Sequence, residues 1–189
     1  MKEKMNNRIQ GEKYRFTVLT NQLIRMEYSE TGYFEDGLTQ IVRNREFPEA
    51  TFEVIETEGK LEIITESLHL HYKKGPFTPE NLFIDARNKF AFYGNRWHYG
   101  EEVPTLQGTA QTLDHADGEI ELGEGIISKN GFAILDDSTS FLLNEGEEPR
   151  FRPEKSIDLY FFSHGRDYLG ALKDYYTLSG FTPLLPRYA

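Results

Sequence analysis

Three carboxylates, Asp114, Asp117 and Glu119, fall within one polar stretch punctuated by Gly108, Gly118, Gly123 and Gly125. An ionised carboxylate only accepts hydrogen bonds, so a loop that presents several of them can contact a ligand that donates them. The same residues also have a purely local use. Asp before Gly forms tight Asx turns, and for Asp114 and Asp117 that reading weighs about as much as ligand contact. A loop this long within a compact domain is uncommon without a task of its own. The apolar run Phe132 to Leu135 follows it, and then the turn Asp136-Asp137-Ser138, whose acids read as braces of the turn.

Other candidates are fewer. Among the aromatic residues Phe90, Phe92, Tyr93, Trp97 and Tyr99, Trp97 is the one suited to stacking on a sugar ring, because indole joins a flat apolar face to a polar edge. The Phe residues read as packing. His69 and His71 share a strand face and have the chemistry to chelate a metal. Two histidines on a solvated face are ordinarily only that, and no metal or cofactor is expected. His98, His115 and His164 are scattered. No GxSxG, Walker loop, HExxH or GxGxxG occurs, and the absence of cysteine excludes thiolate chemistry and disulfides.

The elements that must position these residues are mostly strands. Tyr14 to Thr20 and Leu23 to Ser29 flank a turn at Asn21-Gln22, and Thr51 to Thr57 and Leu61 to Thr65 flank Glu58-Gly59. Leu68, Leu70 and Tyr72 alternate with polar residues, the period of a strand with one buried face. Leu82 to Asp85 with Phe90 to Tyr93, and Phe132 to Leu135 with Ser140 to Leu143, read as two further hairpins. Ser156 to Phe162 alternates again, and Gly32 to Arg45 reads as loop. Helical spacing occurs at Arg166 to Ser179, with Gly180 placed to end the helix. The fold expected is all-β, an antiparallel β-sandwich closed by one C-terminal helix.

With 189 residues the chain is long enough for one domain with a real core, and its formal net charge of −10 disfavours nucleic acid and anionic membrane as partners. A neutral ligand is easier to accommodate. The N-terminus has no apolar segment of the kind found in leaders and no run approaches a membrane span, so a cytoplasmic location is the simplest expectation.

Two ordered blocks of residues resemble a known family. Leu106-Gln107-Gly108-Thr109-Ala110-Gln111-Thr112-Leu113-Asp114, Asp117-Gly118, Gly125-Ile126-Ile127-Ser128-Lys129-Asn130-Gly131-Phe132 and Leu135-Asp136-Asp137-Ser138 form the first. The second runs from Asp158-Leu159-Tyr160-Phe161-Phe162 through Ala171-Leu172-Lys173-Asp174-Tyr175-Tyr176 to Pro183-Leu184-Leu185-Pro186-Arg187-Tyr188-Ala189. Together they resemble the N-terminal domain of glycoside hydrolase family 31, whose pattern is close to GGT-x-R-T-L-D-x-x-D-G, then G-x-x-S-R-x-G-W and D-D-S. Gln107, Gln111, Lys129 and Phe132 depart from that pattern.

The resemblance implies a sandwich of the galactose-mutarotase-like superfold over residues 1–180, with 181–189 opening a linker to a catalytic (β/α)₈ barrel beyond the end of the chain. It implies a parent enzyme that cleaves an α-linked glucoside or xyloside by double displacement, with both catalytic carboxylates on the barrel. No catalytic residue is then expected in this chain. The family's N-domain loop offers an Asp to the sugar nearest the cleaved bond, and Asp114 and Asp117 match it. Two other classes stay open: a stand-alone carbohydrate-binding sandwich using Trp97, and, ranked last, an aldose mutarotase, which needs a His and Glu pair that no motif here supplies.

Overall fold

The computed structural model describes residues 7–87, 94–108, 114–143, 148–152 and 156–181. Two five-stranded antiparallel sheets face one another. The first contains β1 (Arg8–Gln10), β2 (Tyr14–Val18), β3 (Leu23–Ser29), β12 (Ser156–Phe162) and β10 (Ala133–Asp136), adjacent in that order. The second contains β5 (Glu53–Glu56), β6 (Lys60–Ile64), β7 (Leu68–Lys73), β8 (Leu82–Ala86) and β9 (Arg96–His98). A two-stranded piece, β4 (Leu38–Thr39) with β11 (Leu142–Leu143), lies apart from both.

Alternation along each strand builds the shared core. Phe16, Val18, Ile24, Met26, Leu159 and Phe161 of the first sheet meet Leu61, Ile63, Leu70, Tyr72, Ile84 and Trp97 of the second. Period-two side chains put every second residue on one face, so a strand with apolar residues at alternate positions must bury that face. The aromatic residues knit the layers: Phe16 meets Tyr72 edge-on at 5.2 Å and Phe77 in a stack at 5.9 Å.

The first sheet is covered on its other face as well, which is why β3 is buried along its whole length. One half of that face is apolar: Leu19, Leu23, Val42, Tyr160 and Phe162 pack with Leu178 of helix α1 (Tyr168–Ser179). The other half is ionic. Arg15 grips Glu27 through two bonds of 2.6 and 2.7 Å, Arg25 grips Asp158 at 2.7 and 2.8 Å, and Arg152 reaches both Asp137 and Asp158. Arg45 donates to the Tyr160 hydroxyl at 2.8 Å and to the carbonyls of Asp36 and Gly37, which fastens the 33–45 segment over the sheet.

Helix α1 begins where Asp167 accepts from the amide of Gly170 at 2.9 Å and ends at Gly180, whose φ of 84° suits glycine. Leu178 and Ala171 are buried, but Leu169, Leu172 and Tyr176 are exposed, as is Phe181 just past the helix.

Several expectations are corrected. Phe132 to Leu135 and Ser140 to Leu143 do not form a hairpin: β10 pairs with β12, and β11 pairs with β4. The cause lies at Asp137, whose buried carboxylate accepts from Thr39 Oγ1 at 2.9 and 3.0 Å and from Arg152, drawing the chain across to the 39 region. β8 pairs with Arg96–His98, while Phe90 to Tyr93 lies outside the described residues. The 32–45 loop contains the short β4, and Arg8–Gln10, whose one apolar residue is Ile9, form an edge strand too short for apolar periodicity to reveal. The residues from 182 onward also lie outside the described residues.

Candidate functional site

Hydrogen bonds clamp the base of the glycine-rich loop. Leu106 donates to the Ile127 carbonyl and Gly108 to the Gly123 carbonyl, each at 2.8 Å, and Thr105 bridges to Ser128. At Gly125 the two sides approach so closely that a Cβ would lie 2.7 Å from the Leu106 carbonyl oxygen, so only glycine fits without displacement. The Ser128 hydroxyl donates to the Phe132 carbonyl, and Gly131, at a φ of 79°, accepts from Gly165. The glycines and serine of the motif thus tie the loop to the sandwich.

Asp114, Asp117 and Glu119 are exposed farther along that loop. His115 at a φ of 62° and Gly118 at 99° both adopt the left-handed conformation, which turns the chain twice around the two aspartates. Thr109 to Leu113 lies outside the described residues.

The loop base forms one wall of an open cleft of about 860 Å³ between the edges of the two sheets. Gln107, Glu124 and Gly125 stand on that side, Tyr99 to Thr105 on another, and Ile134, Asp136, Ile157 and Leu159 come from β10 and β12. Trp97 belongs to the floor. It is only 1% exposed, and its ring meets Phe161 at 5.6 Å and Tyr99 at 6.4 Å, while its indole N–H donates to the Glu101 carbonyl at 2.9 Å. It therefore offers no open face for a sugar ring to stack on in this structure, because β9 directs it inward opposite Ile84. Tyr99 is the half-buried aromatic residue at the cleft.

The polar lining has a defined character. Glu124 is held below the usual carboxylate value by hydrogen bonds from Thr105 and then Gln107, so it is an anion at neutral pH. Burial pushes the Tyr99 phenol up, and the negative charge of Asp136 adds to the effect, leaving the phenol a donor. Asp136 also accepts from the Ser138 amide at 2.9 Å, the Asx turn its position suggests. An aromatic edge beside carboxylates, in a volume suited to a small ligand, can bind a neutral polyol: the acids accept from hydroxyls and the apolar floor covers C–H groups.

The structure brings Trp97, the loop base and Asp136 to one cleft, while Asp114 and Asp117 do not line it. Sequence reasoning missed Glu124 and Glu102 as lining residues, since isolated glutamates in a loop carry no motif. Among the described residues, the one grouping of histidine and carboxylate donors with metal-binding spacing, Glu62, His69 and His71, lies elsewhere, on the outer face of the second sheet.

No protein-family model matches this chain, and no curated protein does. Among solved structures it is similar to the GH31 dextranase FjDex31A of Flavobacterium johnsoniae complexed with glucose, with 19% identity and a TM-score of 0.47 over 96% of this chain and 27% of that one. A mutant of the same dextranase complexed with isomaltotriose gives the same values. The chain spans about a quarter of the length of those enzymes.

Proposed function

We propose that the chain is a non-catalytic β-sandwich domain of a retaining α-glycosidase of the family 31 type, which braces a catalytic barrel and extends the loop from Gly108 to Gly123 toward the substrate. The observation that carries the reading is the clustering of the motif residues. Gly108 and Gly125, Ser128 and Gly131-Phe132, separated in sequence, all serve to fix the base and anchorage of one carboxylate-bearing loop. A scaffold needs that much anchoring where the loop tip must keep its position against another body. The apolar stripe of Leu169, Leu172 and Tyr176, continued by Phe181 at 83% exposure, supports a neighbouring domain packed against α1.

In this reading both catalytic carboxylates belong to the barrel, and the sandwich supplies shape and hydrogen-bond acceptors. The substrate class is an α-linked glucoside or xyloside. A second reading, a sandwich that binds carbohydrate by itself, is favoured by the cleft with Tyr99, Glu124 and Asp136.

Assays of the 189-residue chain, alone and extended through its reading frame beyond Ala189, separate the two. The proposal expects no turnover of p-nitrophenyl α-glucoside or α-xyloside by the chain alone, and turnover by the extended polypeptide. Activity in the purified chain alone would overturn it. A reading frame that ends without barrel sequence, together with oligosaccharide binding lost in Asp136→Asn, would favour the second reading.

A further inference from the structure

The outer face of the second sheet gathers side chains that neither the fold nor the cleft uses. β6 and β7 pair in a register that sets Glu62 directly opposite His71, and β7 places His69 two residues away on the same face. His69 Nε2 lies 2.8 Å and His71 Nδ1 3.9 Å from the same oxygen, Glu62 Oε2, and the three donor atoms all lie within 4.8 Å of one another. Donors on a tetrahedral Zn²⁺ at bond lengths near 2.0–2.2 Å stand roughly 3.3 Å apart, a value that these distances bracket. Small side-chain rotations suffice to close them on one ion.

The surroundings suit such a site. All three side chains are partly exposed, so an ion can reach them. The His71 ring is fixed between two neighbours, stacked on Phe83 at 4.5 Å and facing His69 at 3.8 Å. Its remote nitrogen, Nε2, lies 3.3 Å from Asp85 Oδ2 without the alignment of a hydrogen bond, and no other polar group satisfies it. A carboxylate behind the far nitrogen of a ligating histidine is the usual outer support of a metal site. Asp85 is itself held by Arg96 through bonds of 2.7 and 2.8 Å, which neutralises the guanidinium and keeps Asp85 out of the inner set.

From this arrangement we infer that Glu62, His69 and His71 form a divalent transition-metal site, with Zn²⁺ as the ion that fits best, water as the fourth ligand and Asp85 as a positioning residue behind His71. Two imidazoles and one carboxylate favour a borderline-soft ion over Mg²⁺ or Ca²⁺, which prefer all-oxygen shells. The site ties β6 to β7 and leaves one coordination position open to solvent.

Titration calorimetry of the 189-residue chain with ZnCl₂, and with MgCl₂ as the contrast, tests this. One equivalent of Zn²⁺ is expected to bind and Mg²⁺ is not. Glu62→Gln and His69→Gln should each weaken Zn²⁺ by about tenfold or more, and Asp85→Asn by about tenfold with unchanged stoichiometry. Co²⁺ in place of Zn²⁺ should give the visible bands of a tetrahedral ion, which a merely structural change at Asp85 would not shift. Zn²⁺ should also protect His69 and His71 from diethyl pyrocarbonate in the unsubstituted chain, a readout that needs no variant to fold. No Zn²⁺ uptake, uptake unchanged in both ligand variants, or no protection of the two histidines would each overturn the site.

Discussion

Asp158 is the residue on which the first sheet most depends. Burial pushes its carboxyl up, but the charge and hydrogen bonds of Arg25, with Arg152 behind them, outweigh burial and hold it below the usual carboxylate value. Asp158→Asn leaves buried Arg25 with only Glu27 close by and Arg152 with only Asp137, so it should cost about 3–5 kcal/mol at pH 7. Because the folded value is depressed, this stability is present above the unfolded carboxylate value, near pH 3.9, and is lost as pH falls through the lower folded one. The deficit of the variant should therefore narrow in acid, as urea unfolding at neutral and acid pH will read. Asp137, which burial pushes up, works in the opposite sense: its contribution is present below the unfolded value and lost as pH rises through the folded one. None of this was legible in the sequence. Arg15, Arg25, Glu27 and Asp158 occupy the polar phase of alternating strands, and alternation alone assigns that phase to solvent. Only pairing of β3 with both β2 and β12 brings the charges together, and only the 33–45 segment covers them.

At the scale of elements, legibility followed locality. β2, β3, β6, β7 and α1 were all readable from period, turn residues and caps, because each is decided by its own few residues. β9, β1 and the pairing of β10 were not, since Arg96–His98 and Arg8–Gln10 are three residues each with one apolar member, too short to show a period, and the Asp137 anchor bonds to a distant strand. The third donor of the Glu62, His69 and His71 group was hidden for the same reason: strand register, not spacing, supplies it. The loop was legible as a unit, though the reason for its glycines was not. Gly125→Ala should push the loop base away from the Leu106 carbonyl and lower stability by about 1–3 kcal/mol, read as a drop in thermal midpoint. Gly59→Ala, where nothing lies within 4 Å of a new Cβ, is the control and should change little.

For the whole molecule, the two-sheet core predicts that the chain folds on its own and that its far-ultraviolet circular dichroism is dominated by strand signal with one helix; a helix-dominated spectrum would contradict the fold. The apolar stripe on α1 and the anchored loop extend in the account toward a second body, and the loop is where that account is most exposed. Separate Asp114→Ala and Asp117→Ala substitutions in the proposed longer glycosidase, with kcat/KM measured on an α-glucoside, test it most directly. Loss of a charge-assisted hydrogen bond to a neutral sugar costs roughly 1.5–3 kcal/mol, so one of the two variants should fall about ten- to a hundredfold. If both remain within about twofold of the parent, the aspartates only shape the turns around His115 and Gly118, and the loop does not serve the sugar site.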